Sequence, residues 1–279
     1  MPDFAARRGP ALVLYCQHSL GIGHLTRSFV LAAALRQHFH VVFLNGGRLP
    51  PGVPVPEGIE LVDLPPLGMD DGHTVISRDA ARRDVAAAHV ERRELIGATI
   101  ARHRPAVLLI ELFPFGRKKF AGEILPMIRA ARRQGGGPAL VACSLRDILV
   151  DVRPDQQHHD DRAAWLANRY FDCVLVHADP AFARLHDSFR PRRPLRVPVI
   201  HTGYVVPRRQ QEAPTARGDH LLVSAGGGIV GARLFNTALA AREHLPRPLP
   251  LRIIAGPFLP EPQWQALCRR AAELPAVTL

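Results

Sequence analysis

A histidine and an arginine follow two glycines in residues 17–28, which read QHSLGIGHLTRS. The apolar run 11–16 precedes this stretch and the amphipathic segment 24–37 continues it, which predicts a buried strand followed by a helix. Gly21 and Gly23 would let the chain turn tightly and let a ligand approach the main chain. Free N–H groups at the start of the helix favour an anion or a polarised oxygen. We therefore interpret this turn as a ligand-binding turn.

His24 and Arg27 are the side chains of this turn that could do chemistry. Residues three apart on a helix share a face, so we expect the imidazole and the guanidinium side by side. The positive end of the helix dipole disfavours the cationic form of an imidazole placed there. A neutral imidazole can act as a general base on a hydroxyl group. The alternative role of His24 is to cap the helix or to pack beneath the loop.

Two common nucleotide sites do not fit this turn. A dinucleotide fingerprint requires a third glycine where this sequence has Thr26, and an acidic residue after the second strand, where this sequence reads LNGG. A Walker A loop requires a Gly-Lys-Ser/Thr sequence, which is absent. We therefore exclude NAD and ATP sites of these two kinds.

A second glycine-rich turn, VSAGGGIVG, lies at residues 223–231 between another predicted strand and helix. Its small residues are Ser224, Gly226, Gly227 and Gly228. Backbone amides in such a turn could cradle a diphosphate. The alternative is a tight turn that needs small residues for steric reasons alone.

Further candidates lie where other predicted strands end. Glu111 ends the apolar strand 106–112, a position from which a sheet presents a catalytic or hydroxyl-binding carboxylate; the alternative is a surface or ion-paired acid. Arg146 and Asp147 follow the next strand and could line the same site, or could form a mutual or capping pair. His177 ends a third strand, where we expect a histidine with satisfied hydrogen bonds at the edge of the core.

Neither a metal site nor a disulfide is expected. The four cysteines are far apart and form no C-x-x-C motif, which favours a reducing compartment. His158 and His159 are adjacent, so their side chains point about 100° apart on a helix, and we interpret them as part of a solvated face. The N-terminus lacks the apolar core of a signal peptide, and no run approaches the roughly 20 apolar residues of a membrane span. We expect a cytoplasmic protein.

The charge of the chain limits its partners. The formal net charge is +11, and 34 of the 36 basic residues are arginines scattered through Ala- and Pro-rich sequence. Without an aromatic-interleaved basic stretch, a helix-turn-helix or a zinc-finger spacing, the pattern argues against nucleic acid. Attraction to phosphorylated sugars or to an anionic membrane face fits the charge. The run GRKK at 116–119 could touch either, or could simply be solvated.

Apolar strands alternate with helices along the chain, which predicts α/β structure with parallel sheets covered on both faces. Residues 1–206 would form one doubly wound domain, with a loop at 65–78. The polar stretch 207–219 is interpreted as a linker, and residues 220–279 as a second domain. Two βα units and a short third strand cannot close a doubly wound domain, so we expect the second domain to be incomplete and the chain to be truncated.

These glycine-rich turns, one opening each domain, resemble the GT-B glycosyltransferases. The sequence GIGHLTR resembles the G-x-G-H-x-x-R signature of the family 28 branch, which includes the N-acetylglucosaminyltransferase of peptidoglycan synthesis. Four further stretches resemble a set of predicted bacterial glycosyltransferases: 111–120, 143–150, 177–189 and 221–231. The resemblance implies two Rossmann-like domains facing a cleft, with the acceptor held by the first domain and a nucleotide-diphosphate sugar by the second.

The resemblance also implies roles for residues. His24 would deprotonate the acceptor hydroxyl, with inversion at the sugar, and Glu111 is a second catalytic candidate. Acceptor binding would involve Gly21, Gly23, Arg27, Arg146 and Asp147, and the donor diphosphate would lie on Ser224, Gly226, Gly227 and Gly228. No metal and no cofactor are implied.

The acceptor stays open at this point: it could be a glycan, a lipid-linked sugar or a small molecule. We also expect the protein to contact the inner membrane peripherally and to act in the cell envelope. The family segment that grips the base and ribose would lie beyond Leu279. Two alternatives therefore remain: a hydrolase of nucleotide-linked sugars, in which water replaces the acceptor, and a fragment that only binds.

Overall fold

The computed structural model describes residues 9–19, 22–70, 74–79, 81, 84–135, 137–146, 148–149, 152–207, 218–245 and 249–279. Contacts divide the chain into two compact units. The first unit comprises residues 1–17, 24–48 and 54–206, and the second comprises 18–23, 49–53 and 207–279. Most of the predicted linker, residues 208–217, lies outside the described residues.

Among its described residues, the first unit has nine strands: β1 (Ala11–Cys16), β2 (His40–Asn45), β3 (Glu60–Asp63), β4 (Leu67–Met69), β5 (Val75–Ser77), β6 (Val107–Glu111), β7 (Leu140–Arg146), β8 (Cys173–His177) and β9 (Val199–His201). Seven of them form one parallel sheet in the order β3-β2-β1-β6-β7-β8-β9. The strand order reverses between β1 and β6. Open α/β sheets bind ligands at such a reversal, beyond the carboxyl ends of the strands.

The helices of the first unit are α1 (Gly23–Leu35), α2 (Val85–His103), α3 (Ala121–Arg133), α4 (Gln156–Tyr170) and α5 (Leu185–Ser188), with a short 3-10 helix at Lys118–Phe120. Helix α1 buries one stripe at helical spacing, which includes Leu25, Phe29 and Ala32. The central strands are apolar almost throughout because helices cover both of their faces.

The second unit contains β10 (Leu221–Ser224), α6 (Ala232–Ala241), β11 (Leu251–Ile254), α7 (Glu261–Ala272) and β12 (Val277–Thr278). Its three strands are parallel in the order β10-β11-β12. Phe235, Leu239 and Leu267 from the helices pack on Leu251 and Ile253 of the sheet. Leu222 and Ile254, which alternate with inward-facing residues, are 58% and 50% exposed. Among the described residues, therefore, the helices of this unit cover one face of its sheet.

One predicted segment differs from the structure. Residues 65–78 were expected to form a loop, but β4 and β5 pair there as an antiparallel hairpin anchored by the fully buried Leu67. Helix α2 begins at Val85, where the Asp84 carboxylate accepts the Ala86 and Ala87 N–H groups. In the described part of the chain, no helix combines the length and apolar character needed to span a bilayer.

Candidate active site

The candidate site of the first unit lies where the strand order reverses. Glu111 is the last residue of β6, and His24 and Arg27 lie in the first turn and a half of α1, which follows β1. The spacing of the two basic residues places them on one face of the helix, toward the end of β6. We call His24, Arg27 and Glu111 the His24 cluster.

One carboxylate oxygen joins the cluster. Glu111 Oε1 lies 2.5 Å from His24 Nδ1 and 2.7 Å from Arg27 Nη2. Since a carboxylate can only accept, Nδ1 carries a proton, and the neutral form of this imidazole has its lone pair on Nε2. His24 Nε2 has no hydrogen-bond partner among the described residues, and the His24 side chain is 22% exposed. Glu111 thus orients the imidazole through Nδ1, and Nε2 stays available to a ligand.

Charge is concentrated on a buried acid in this cluster. Glu111 is fully buried, and burial raises its pKa. The hydrogen bond and charge of His24, with the charges of Arg117 and Arg27, outweigh burial and hold the pKa of Glu111 below its ordinary value. Glu111 Oε2 and Arg27 Nε are also buried and have no hydrogen-bond partner among the described residues. The cluster therefore keeps unused hydrogen-bonding capacity.

Leu112 follows Glu111 with φ at +65°, in the left-handed region that a leucine rarely adopts. Such conformations cost of order 1–3 kcal/mol and persist where the surrounding structure enforces them. The chain therefore turns sharply at the end of β6, directly after the carboxylate.

A polar row continues along the carboxyl edge from β6 to β9. His177 Nδ1 lies 2.8 Å from Thr202 Oγ1, and His177 Nε2 lies 2.8 Å from Ser144 Oγ. Burial, followed by the nearby Arg27 charge, lowers the pKa of His177 to about 4. The expected satisfied histidine at the edge of the core is confirmed. Ser144, which is buried two residues before the end of β7, and Thr202, which directly follows β9, were missed.

A second cluster of the same residue types lies inside the first unit. Arg92 of α2 is fully buried and donates to Glu123 of α3 with a shortest distance of 2.6 Å. His89, one turn before Arg92, lies 3.3 Å from the same carboxylate through Nδ1. Tyr15 Oη donates to Glu123 at 2.6 Å, and Arg92 donates to Gln17 Oε1 at 2.7 Å. We call these five residues the Arg92 cluster.

The structure describes three of the five predicted acceptor-binding residues: Gly23, Arg27 and Arg146. Gly21 and Asp147 lie outside the described residues. Arg146 is exposed as the last residue of β7, at the same sheet edge as Glu111. Gly23 is not in the left-handed region, and a Cβ there would meet no atom within 4 Å. The structure therefore gives no steric reason for a tight turn at Gly23, while the open space beside it leaves room for a ligand.

Glycine is sterically required at Gly46, directly after β2. A Cβ at this position would lie 2.2 Å from Gln17 Oε1 and 2.9 Å from Arg92 Nη2. The LNGG sequence therefore serves the close packing of the Arg92 cluster. The sequence analysis considered it only for its missing acidic residue.

The glycine-rich turn of the second unit packs against the turn after β11. Gly226 and Gly228 have φ values of +60° and +89°, and a Cβ at Gly228 would lie 2.1 Å from the Ala255 carbonyl oxygen. These glycines are therefore required by backbone conformation and close approach.

Two amides of this turn are already used internally. The Gly226 N–H donates to Ser224 Oγ, and the Gly228 N–H donates to the Ala225 carbonyl. The Gly227 N–H has no partner among the described residues, and no side chain caps the start of α6. The amides available to a ligand are thus that of Gly227 and those of the first turn of α6.

Comparison with solved structures identifies the fold class. A UDP-glucosyltransferase from Polygonum tinctorium matches with a TM-score of 0.55 and 16% identity, over 98% of this chain and 71% of that chain. The structure of Phytolacca americana UGT2 complexed with UDP-2fluoro-glucose and pterostilbene matches with a TM-score of 0.51 and 14% identity, over 97% and 71%. TcCGT1 in complex with UDP matches with a TM-score of 0.54 and 14% identity, over 97% and 72%.

The chain therefore has the GT-B, Rossmann-like α/β fold of these glycosyltransferases. No protein-family model matches the sequence, and no curated protein matches it either. The particular branch suggested by GIGHLTR stays a prediction.

Proposed function

We propose that the protein is a glycosyltransferase that moves a sugar from a nucleotide-diphosphate donor to an acceptor hydroxyl. The observation that carries the proposal is the His24 cluster: an imidazole held through Nδ1 by a buried carboxylate, with Nε2 left available. This arrangement is what a general base for a hydroxyl requires. The fold shared with UDP-sugar transferases supports the same reaction class.

In the proposed mechanism, His24 Nε2 takes the proton of the acceptor hydroxyl as its oxygen attacks the anomeric carbon. The nucleotide diphosphate leaves from the opposite side, and the configuration inverts. As the imidazole becomes cationic, Glu111 stabilises the new charge through Nδ1–H. Because Glu111 is fully buried, it acts as a positioning residue and does not touch substrate. Arg27 neutralises the carboxylate and keeps it ionised.

The second unit would hold the donor. The Gly227 amide and the open start of α6 provide N–H groups for the departing phosphates, and Ser224 shapes the turn by accepting the Gly226 amide. Gly226 and Gly228 would then shape the turn and not bind the diphosphate through their amides, because those amides already donate within the turn. We propose a metal-independent reaction, in which these dipoles replace a cation.

The finer assignments rest on sequence. GIGHLTR supports the family 28 branch of the glycosyltransferases, and measured activity decides between a transferase and a protein that only binds. A glycan, a lipid-linked sugar or a small molecule is the proposed acceptor class. The net charge of +11 supports contact with phosphorylated or membrane-bound acceptors, and the cysteine usage supports a cytoplasmic location.

Kinetics of two histidine variants test the proposal. UDP release from UDP-sugars is measured with and without a panel of hydroxyl acceptors, for the wild type, His24→Ala and His89→Ala. Loss of a general base costs typically 10²–10⁴ in rate, so His24→Ala should lose about that factor in kcat. His89→Ala is the matched control, because it also removes an imidazole that lies three residues before an arginine and touches a glutamate.

The role of His24 is overturned if His24→Ala keeps the wild-type rate of UDP release. Equal losses in the two variants would mean that the effect comes from folding. UDP and free sugar formed without any acceptor would assign the same base to water and the protein to the hydrolases. Absence of release with every donor, together with tight UDP binding, would favour the binding-only fragment.

A further inference from the structure

The opposite edge of the sheet in the first unit gathers two histidines and a glutamate. His40 opens β2, Glu60 opens β3 and His103 ends α2. Strands β2 and β3 are parallel neighbours, so they begin at the same edge. Helix α2 returns the chain to that edge before β6 begins. The topology therefore brings together residues that are 20 and 43 positions apart in sequence.

One potential ligand atom from each of these residues lies within 4.8 Å of the other two. His40 Nε2 is 3.3 Å from Glu60 Oε2, and His103 Nε2 is 3.3 Å from Glu60 Oε1. Tetrahedral zinc with bonds of about 2.0–2.1 Å holds its ligand atoms about 3.3 Å apart. The two histidine–glutamate separations match that spacing but run to different oxygens of Glu60, so the carboxylate must rotate to place one oxygen beside both nitrogens.

Hydrogen bonding at this place is incomplete. His40 Nε2 is buried, and its geometry forms no hydrogen bond with any residue in the described part of the chain. The rings of His40 and His103 meet edge to face, with centroids 5.4 Å apart. A buried nitrogen without a partner costs of order 1–3 kcal/mol, and a bound cation would remove that cost.

The charges around the site leave access for an ion. Arg102 Nη1 lies 3.7 Å from Glu60 Oε1, but the Arg102 side chain is 75% exposed. A long exposed side chain gains little from such a contact and can turn into solvent. The side chains of His40, Glu60 and His103 are 19%, 18% and 8% exposed, so the site is sheltered and still reachable.

We propose that His40, Glu60 and His103 form a binding site for a divalent transition metal, with zinc as the best fit. Two imidazole nitrogens and one carboxylate oxygen are a ligand set that zinc takes, with water in the fourth position. The site ties together the ends of β2, β3 and α2. It lies at the amino edge of the sheet, whereas the His24 cluster lies at the carboxyl edge, so the proposed zinc binding does not depend on the proposed sugar transfer.

Zinc titration of the chelator-treated full chain tests the site. Calorimetry should give one zinc per chain, and thermal unfolding should shift upward with zinc concentration. Cobalt in place of zinc should give the visible absorption of a four-coordinate ion. His103→Ala, Glu60→Gln and the double variant His40→Gln/His103→Gln should each weaken zinc binding at least tenfold.

Two exposed histidines provide matched controls. His38 precedes His40 by two positions, and His158 is the first residue of the sequence pair His158–His159. The His38→Ala and His158→Ala variants should both bind zinc as the wild type does. Circular dichroism of the metal-free variants checks that they fold. The proposal is overturned if the wild type binds no zinc, if the three ligand variants bind it equally well, or if His158→Ala removes binding.

Discussion

The first unit contains two clusters built around a histidine, an arginine and a glutamate, and the two differ in how completely their buried polar atoms are hydrogen-bonded. In each, a histidine and an arginine three residues apart on a helix meet a glutamate from another element: His24 and Arg27 with Glu111, and His89 and Arg92 with Glu123. Every nitrogen of the Arg92 guanidinium donates a hydrogen bond. The His24 cluster instead leaves buried polar atoms without partners.

This difference indicates that the Arg92 cluster stabilises the fold and that the His24 cluster serves the candidate active site. A buried charge is tolerated when all of its hydrogen-bonding capacity is used, and the Arg92 cluster meets that condition. Unused capacity in the His24 cluster costs stability, and buried polar atoms without partners are rare enough in folded proteins that a catalytic role is one of their explanations. The histidine, arginine and glutamate have the same types in both clusters, and the histidine and arginine the same spacing; the Arg92 cluster adds Tyr15 and Gln17, which help to satisfy its buried polar atoms.

The largest expected contrast is between two arginine-to-methionine substitutions. Arg92→Met leaves Glu123 buried without its main partner and should lower the free energy of unfolding by about 3–5 kcal/mol. Arg27→Met should lower it by about 1–3 kcal/mol, because His24 still donates to Glu111. Urea denaturation of both variants measures the difference. A loss below about 1 kcal/mol for Arg92→Met would contradict the assignment of the Arg92 cluster as scaffold.

The next prediction concerns the loss of stability at low pH through Glu123. Burial raises the pKa of Glu123, but hydrogen bonds from His89, Arg92 and Tyr15 and the Arg92 charge outweigh it and hold the pKa at about 2. A carboxylate with a depressed folded-state pKa stabilises the fold above its unfolded value of about 4.5 and loses that contribution as the pH falls toward 2. The contribution lost is about 3 kcal/mol.

Denaturation at several pH values measures this dependence. The wild type should lose stability steeply between about pH 4.5 and pH 2, whereas Glu123→Gln should start less stable at pH 7 and lose less over that window. Parallel curves for the two proteins would show that Glu123 does not carry the acid sensitivity.

Much of the fold could be predicted from the sequence because it depends on local pattern. Apolar runs at strand length and an amphipathic segment predict β1, β6 and α1 to within a residue or two. The hairpin of β4 and β5 was missed because its three-residue strands lie in a segment rich in Pro, Gly and Asp, where turn chemistry dominates the pattern.

The candidate site was only partly predictable for a different reason. His24 and Arg27 are neighbours on one helix, so their spacing predicts that they share a face. Their contact with Glu111 crosses 87 and 84 positions and depends on the strand order. The Arg92 cluster and the set His40, Glu60 and His103 are assembled in the same long-range way. A single sequence carries no signal for such contacts.

The smallest expected contrast is between two glycines: Gly23, which precedes His24, and Gly46, which packs against the Arg92 cluster. Gly46→Ala places a Cβ against Gln17 and Arg92, whose side chains are fixed by their hydrogen bonds and cannot move aside freely. Such overpacking costs about 1–3 kcal/mol of unfolding free energy. Gly23→Ala meets no atom within 4 Å and has no left-handed φ to strain, so it should leave stability unchanged or raise it by up to about 1 kcal/mol.

Paired assays make this last contrast informative about function as well as packing. If the space beside Gly23 receives the acceptor, Gly23→Ala should raise the KM for acceptor while thermal unfolding stays at the wild-type temperature or above. Gly46→Ala should lower the unfolding temperature and leave KM unchanged at temperatures where the variant is folded. A Gly23→Ala protein with wild-type KM would remove Gly23 from the binding surface, and a destabilised one would mean that its glycine serves the fold, as Gly46 does.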